Sequence, residues 1–158
     1  MIELEVTTAG AMQALGERIG YKCRAGDLVI LVGDLGAGKT TLVQGLGLAL
    51  GVAERVTSPT FVIARVHVTA PGFPQLVHVD AYRLGSALEF DDLDLAAEVD
   101  DSVTVVEWGE GKAEQLARDY LVVTICRSDN GVDETRHVAI STVGERWTRS
   151  DLAVLARA

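Results

Sequence analysis

The sequence predicts a three-layer α/β domain with a mixed parallel and antiparallel sheet, on three observations. An apolar run over residues 28–32 leads at once into a glycine-rich turn and an amphipathic stretch, the order of strand, tight loop and helix. Two more apolar runs, residues 76–80 and 103–107, each end on a carboxylate, Asp80 and Glu107. The turn-rich segment Ala70-Pro71-Gly72-Phe73-Pro74 separates β-like residues 61–68 from 76–80, so a hairpin brings antiparallel pairing into the sheet.

Each element has its own signal. Ile2, Leu4 and Val6 alternate as a half-buried strand, and Met12, Leu15 and Ile19 then share a helical face after the capping-type Thr7-Thr8. Residues 39–50 form a helix with Leu42, Val43, Leu46 and Leu50 inward, closing at Gly51. Gly45 and Gly47 inside it each cost about 1 kcal/mol against alanine, so they are expected where a neighbour packs very close. Residues 86–99 place Leu88, Leu93 and Leu95 at mixed spacings, which suits short helical pieces, and residues 103–106 are a buried strand. A helix is expected at 112–118, strands at 120–126 and 136–140 around Ser128-Asp129-Asn130-Gly131, and a final helix capped by Ser150-Asp151. With no repeat, linker or low-complexity tract, residues 1–158 are expected to form one domain.

Composition narrows the function classes. Hydrophobic residues at 48% and charged residues at 23% exclude a disordered or fibrous chain. No membrane span and no secretory signal are expected, which suits a cytoplasmic location. Cys23 and Cys126 read as two small core residues, and the isolated His67, His78 and His137 argue against a histidine-built metal centre. Lys and Arg number 14 against 23 acids, a net charge of −9, and residues 84–111 hold nine acids and no base. Such a chain has little to offer nucleic-acid phosphates on its own. Most of these acids read as a solvated face, with a partner's basic surface as the sharper alternative.

The chemistry lies in Gly33-Asp34-Leu35-Gly36-Ala37-Gly38-Lys39-Thr40, a full match to the phosphate-binding loop, with Thr41 following. Glycines let successive amides turn inward, and a side chain there would block the phosphate. Lys39 is expected on the β- and γ-phosphates and the Thr40 hydroxyl on Mg²⁺, which makes the fold P-loop NTPase-like. Such a loop also needs an acid at a neighbouring strand end, and Asp80 and Glu107 are the two candidates. Among only three lysines, none sits in an Asn-Lys-x-Asp or Thr-Lys-x-Asp stretch, so ATP is favoured over GTP. Thr8 and Arg136 are the candidates for the adenine pocket.

With the loop and both acids in hand, the words Ser58-Pro59-Thr60-Phe61, His78-Val79-Asp80-Ala81-Tyr82-Arg83-Leu84 and Val106-Glu107-Trp108 complete a pattern. The chain resembles the TsaE family, small bacterial P-loop ATPases of tRNA threonylcarbamoyladenosine synthesis, over roughly residues 8–136. The resemblance implies an ATPase using ATP and Mg²⁺ and working with the TsaD and TsaB proteins, reaching tRNA only through their complex. It makes Thr40 and Glu107 the Mg²⁺ ligands, Asp80 a second acid at the γ-phosphate and Thr60 part of a loop that senses that phosphate. Trp108 and the Tyr82-Arg83 pair belong around the nucleotide and partner, with a packing aromatic as the plain alternative for Trp108. Ala81 and Gly109 depart from the family's usual residues at those positions. Two other readings stay open: a small-molecule kinase with Asp80 as general base, and a nucleotide-gated interaction module with little hydrolysis.

Overall fold

The computed structural model describes residues 1–59, 61, 63–128 and 134–157. Its elements in chain order are β1 (Ile2–Val6), α1 (Ala9–Lys22), β2 (Leu28–Val32), α2 (Lys39–Ala49), β3 (Ala64–His67), β4 (Gln75–Asp80), α3 (Ala87–Asp91), α4 (Ala96–Val99), β5 (Ser102–Glu107), β6 (Tyr120–Arg127), β7 (Arg136–Val143) and α5 (Arg149–Leu155). The strands form one sheet in the order β1-β7-β6-β2-β5-β4-β3. Its centre, β6-β2-β5-β4, is parallel, while β7 and β1 on one side and β3 on the other pair antiparallel.

Period-2 alternation sorts the strand residues between two cores. Val29, Leu31, Val103, Val105, Leu121 and Val123 pack beneath Leu15 and Ile19 of α1, Leu42 and Leu46 of α2 and Leu152 of α5. Leu28, Ile30, Val77, Val79 and Val106 pack on the opposite face with Phe90 of α3 and partly buried Leu93, Leu95 and Leu116. Helices therefore lie on both sides of the parallel centre, the arrangement that buries such strands twice.

Helices α1 and α2 meet backbone to backbone. A Cβ on Gly45 would lie 1.9 Å from the Gln13 carbonyl oxygen, and one on Gly16 would lie 2.0 Å from that of Leu42. Gly47 faces Val56, whose Cγ2 would be 3.0 Å from a Cβ there. The helical cost of Gly45 and Gly47 is thus tied to close approach, as their positions implied.

Four expectations need correction. The first hairpin strand begins at Ala64, because Ile63 has φ +70°, a left-handed conformation that interrupts an extended ladder, and Phe61 lies outside it, 86% exposed. Residues 112–118 contain only a 3₁₀ turn, Glu114–Leu116, since Gly111 at φ +74° and the entry to β6 leave too few residues to propagate a helix. Thr148, not Ser150-Asp151, caps α5: its hydroxyl accepts from the Asp151 amide while the Asp151 carboxylate accepts from the Thr148 amide. Cys126 is exposed, because alternation along β6 turns it to the face opposite Ile125, which is the residue buried in the core; Cys23 ends α1 and packs against the core. The expected turn at residues 129–131 lies outside the described residues. Among the described residues, no helix is long and apolar enough to cross a membrane.

Candidate functional site

The chain leaves β2 at Val32 and turns through three left-handed glycines, Gly33 (φ +151°), Gly36 (φ +73°) and Gly38 (φ +115°), before α2 begins at Lys39. A side chain on Gly33 is impossible, because its Cβ would lie 2.4 Å from the Ile125 carbonyl oxygen. Gly38 occupies the N-cap of α2 with no side-chain cap, so glycine backbone and the helix's positive end border the hollow of the loop. Lys39 is 4% exposed; its Nζ donates to the carbonyls of Gly33 (2.7 Å) and Asp34 (2.9 Å) and lies 4.1 Å from the Trp108 ring centre. Burial pulls the Lys39 pKa below the usual lysine value, while Glu107, Asp80 and Asp34 oppose that fall.

Alternation also aims the acids. Leu76 of β4 and Val105 of β5 point to the α2 side, so His78, Asp80 and Glu107 follow on that side, at the strand ends beside the loop. Asp80 and Glu107 are register partners. The Thr40 hydroxyl donates to Glu107 Oε1 at 2.8 Å, and His78 Nε2 lies 2.8 Å from that same oxygen. Asp80 accepts from the Ser58 hydroxyl (2.9 Å) and from the Tyr82 amide (2.9 Å). A cavity of about 320 Å³ opens over Lys39, Thr40, Ser58, Asp80, Glu107 and Trp108.

Trp108 holds φ +60°, a conformation an aromatic residue adopts only under constraint; its amide donates to the Leu31 carbonyl, and its ring meets Tyr82 at 4.9 Å. Its ring also faces the Lys39 ammonium. The glycine after it has a steric cause: a Cβ on Gly109 would come within 2.9 Å of Val106 Cγ1. Leu35, 76% exposed, and Thr41 border the cavity. Thr60 lies outside the described residues.

A smaller hollow of about 140 Å³ adjoins the loop on its α1 side and brings Thr8 and Arg136 to Gly36, Ala37 and Thr41. Arg136 donates through Nε to the Ala37 carbonyl at 3.1 Å, whereas the Thr8 hydroxyl caps α1 by accepting from the Ala11 amide at 3.0 Å. Sequence reasoning missed three neighbours. Arg127, the register partner of Arg136, has a guanidinium nitrogen 3.3 Å from where a Gly36 Cβ would sit. Ser58 holds Asp80 from a loop, and His78 holds Glu107 from a strand. The His-x-Asp spacing on β4 was the available signal for His78, since alternation puts both residues on one face.

Residues 6–138 match the family model described as threonylcarbamoyl adenosine biosynthesis protein TsaE. The chain belongs to the TsaE family. It is 57% identical over 147 residues to the Streptomyces coelicolor tRNA threonylcarbamoyladenosine biosynthesis protein TsaE, covering 92% of this chain and 99% of that one. The Bacillus subtilis protein of the same description is 37% identical over 136 residues, covering 85% of this chain and 82% of that one. The solved crystal structure of Bacillus subtilis YdiB superposes with a TM-score of 0.74 at 28% identity, covering 98% of this chain and 93% of that one. TsaE membership assigns the chain to tRNA threonylcarbamoyladenosine biosynthesis, and the α/β architecture is shared with that structure.

Proposed function

We propose that this TsaE-family chain is a Mg²⁺-dependent ATPase. Its turnover serves threonylcarbamoylation of the anticodon-adjacent adenosine by a TsaD–TsaB complex, through which alone it meets tRNA. The hydrogen bond from Thr40 to Glu107 at the foot of the phosphate loop carries this reading. By giving its proton to a carboxylate, the Thr40 hydroxyl keeps its lone pairs for a cation, and the donors on offer are hard oxygens suited to Mg²⁺. Thr40 and Glu107 would hold the ion, which when bound supplies positive charge to the phosphate oxygens.

The chain's own groups do the rest. Loop amides, the α2 N-terminus and Lys39 bind the β- and γ-phosphates, with Thr8 and Arg136 toward the nucleoside. Asp80 orients a water for in-line attack and receives its proton. The bond from water oxygen to the γ-phosphorus forms as the bridging bond breaks, and its electron pair leaves with ADP. The Ser58 hydroxyl, two positions before Thr60 in the sequence, donates to Asp80, which gives γ-phosphate sensing a route into the acid. The exposed acids of α3, α4 and their flanks, among them Asp91, Asp92, Asp94 and Glu98, are the face offered to a basic partner surface.

The test is phosphate release from ATP by the purified chain, with Mg²⁺ or excess chelator, alone and with added TsaD and TsaB proteins. Release that requires Mg²⁺, rises with the partners and needs no small acceptor supports the reading. Phosphate transfer to a small acceptor, or no release under any condition, contradicts it.

A further inference from the structure

Resting on the proposed role of Glu107 and deepening it, we propose that His78 is the positioning residue that fixes the Glu107 carboxylate beside Thr40. The His78 ring is fully buried in β4, and its Nε2 lies 2.8 Å from Oε1 of a carboxylate that is itself 3% exposed. Among the described residues, no hydrogen-bond partner reaches His78 Nδ1. The proton therefore belongs on Nε2, where it is donated to Glu107 and leaves only a bare acceptor at Nδ1. The opposite tautomer would bury an orphan N–H and set a nitrogen lone pair against a carboxylate oxygen.

The neighbours of His78 explain why the donor is effective. Leu76 on the same face of β4 and Val105, the register partner of His78 on β5, are fully buried aliphatic residues, so packing alone would choose an aliphatic residue here as well. A buried imidazole is costly unless it makes a bond, and Glu107 is the partner in reach. The ring is also boxed in: His67 lies 6.4 Å away between centroids, itself held by Glu54 through Nδ1 at 2.8 Å. Thr40 from α2 and His78 from β4 approach one oxygen from two separate elements. Together they fix the carboxylate rotation that a single contact would leave loose, which is how partners behind a metal ligand tune a site.

The experiment compares the full native chain with His78→Gln, which keeps an N–H donor near Nε2, and His78→Leu, which keeps bulk and loses the donor. NMR of nitrogen-labelled histidine on the nucleotide-free native protein reads the tautomer, with the Nε2–H form expected; the Nδ1–H form overturns the proposal. Calorimetry then measures ATP affinity with chelator and across a Mg²⁺ titration, after circular dichroism has verified each variant's fold. His78→Leu is expected to keep its metal-free affinity within roughly twofold, to need about tenfold more Mg²⁺, and to lose kcat in proportion, while His78→Gln recovers most of both. A folded His78→Leu with native Mg²⁺ dependence overturns the proposal, as does a His78→Gln no better than leucine. If His78→Leu fails to fold, the tautomer and the glutamine variant still decide. A native chain inert toward ATP sinks the ATPase reading instead, and the tautomer then judges the His78–Glu107 contact by itself.

Discussion

Asp80 and Glu107 are register partners on adjacent parallel strands, so two carboxylates lie side by side at the sheet's edge, 4% and 3% exposed. Their contacts differ. Glu107 is held by Thr40 and His78, the first of which lies in the opening turn of the helix after the phosphate loop, whereas Asp80 is held by Ser58 and the Tyr82 amide. The pair therefore divides into an acid tied to the Thr40 hydroxyl and an acid tied to Ser58 and the Tyr82 amide.

That division is testable with neutral isosteres. Asp80→Asn is expected to bind ATP like the native chain while single-turnover hydrolysis falls about a hundredfold or more, the usual worth of a positioned acid–base group. Glu107→Gln should instead raise the Mg²⁺ requirement for nucleotide binding. Native turnover by Asp80→Asn, measured by rapid phosphate release, would remove it from the chemistry.

The contact between α1 and α2 predicts a contrast between two glycines. Gly45→Ala drives a methyl group into the Gln13 carbonyl and should cost about 2 kcal/mol in urea denaturation, as overpacking does. Gly10→Ala, whose Cβ would meet nothing nearer than 3.9 Å, is expected to be neutral or slightly stabilising in the same assay.

The two thiols should behave differently toward an alkylating reagent. Cys126 is exposed, while burial and then the charge of Asp27 hold the Cys23 thiol well above its ordinary pKa of 9.0, so little thiolate exists there. Peptide mass mapping after brief iodoacetamide treatment at neutral pH should find the label on Cys126 alone.

Asp119 accepts from the amides of Glu145 and Arg146, and these bonds hold its carboxylate below the usual aspartate value. A lowered folded pKa stabilises the fold above the unfolded value and loses that contribution as pH falls through the folded one. Asp119→Ala should thus melt below the native chain at pH 7, and the gap should narrow as pH drops below 3.8, read by thermal melts across the acid range.

Much of this was legible because it is local. The strand, loop and helix around Gly33–Thr40 are written in consecutive residues, and alternation along β4 already puts His78 and Asp80 on one face. The rest depends on lateral placement. That Asp80 and Glu107 become register partners follows from β4 and β5 being neighbours, which is a non-local choice. Arg127 joins Arg136 only because β6 and β7 pair in one register, and Ser58 reaches Asp80 from a loop with no periodicity. Ile63, in a conformation its branched side chain resists, makes β3 start later than its β propensity suggested.

Calorimetric titration of ATP with Mg²⁺ into the native chain and into Lys39→Ala, both shown to be folded, tests most directly whether the loop and its ammonium group hold the phosphates. The native chain is expected to bind with an affinity that the variant loses by about a hundredfold, the scale of a lost charge-assisted contact. Equal affinity in the two proteins, or no binding by the native chain, would contradict the proposed site.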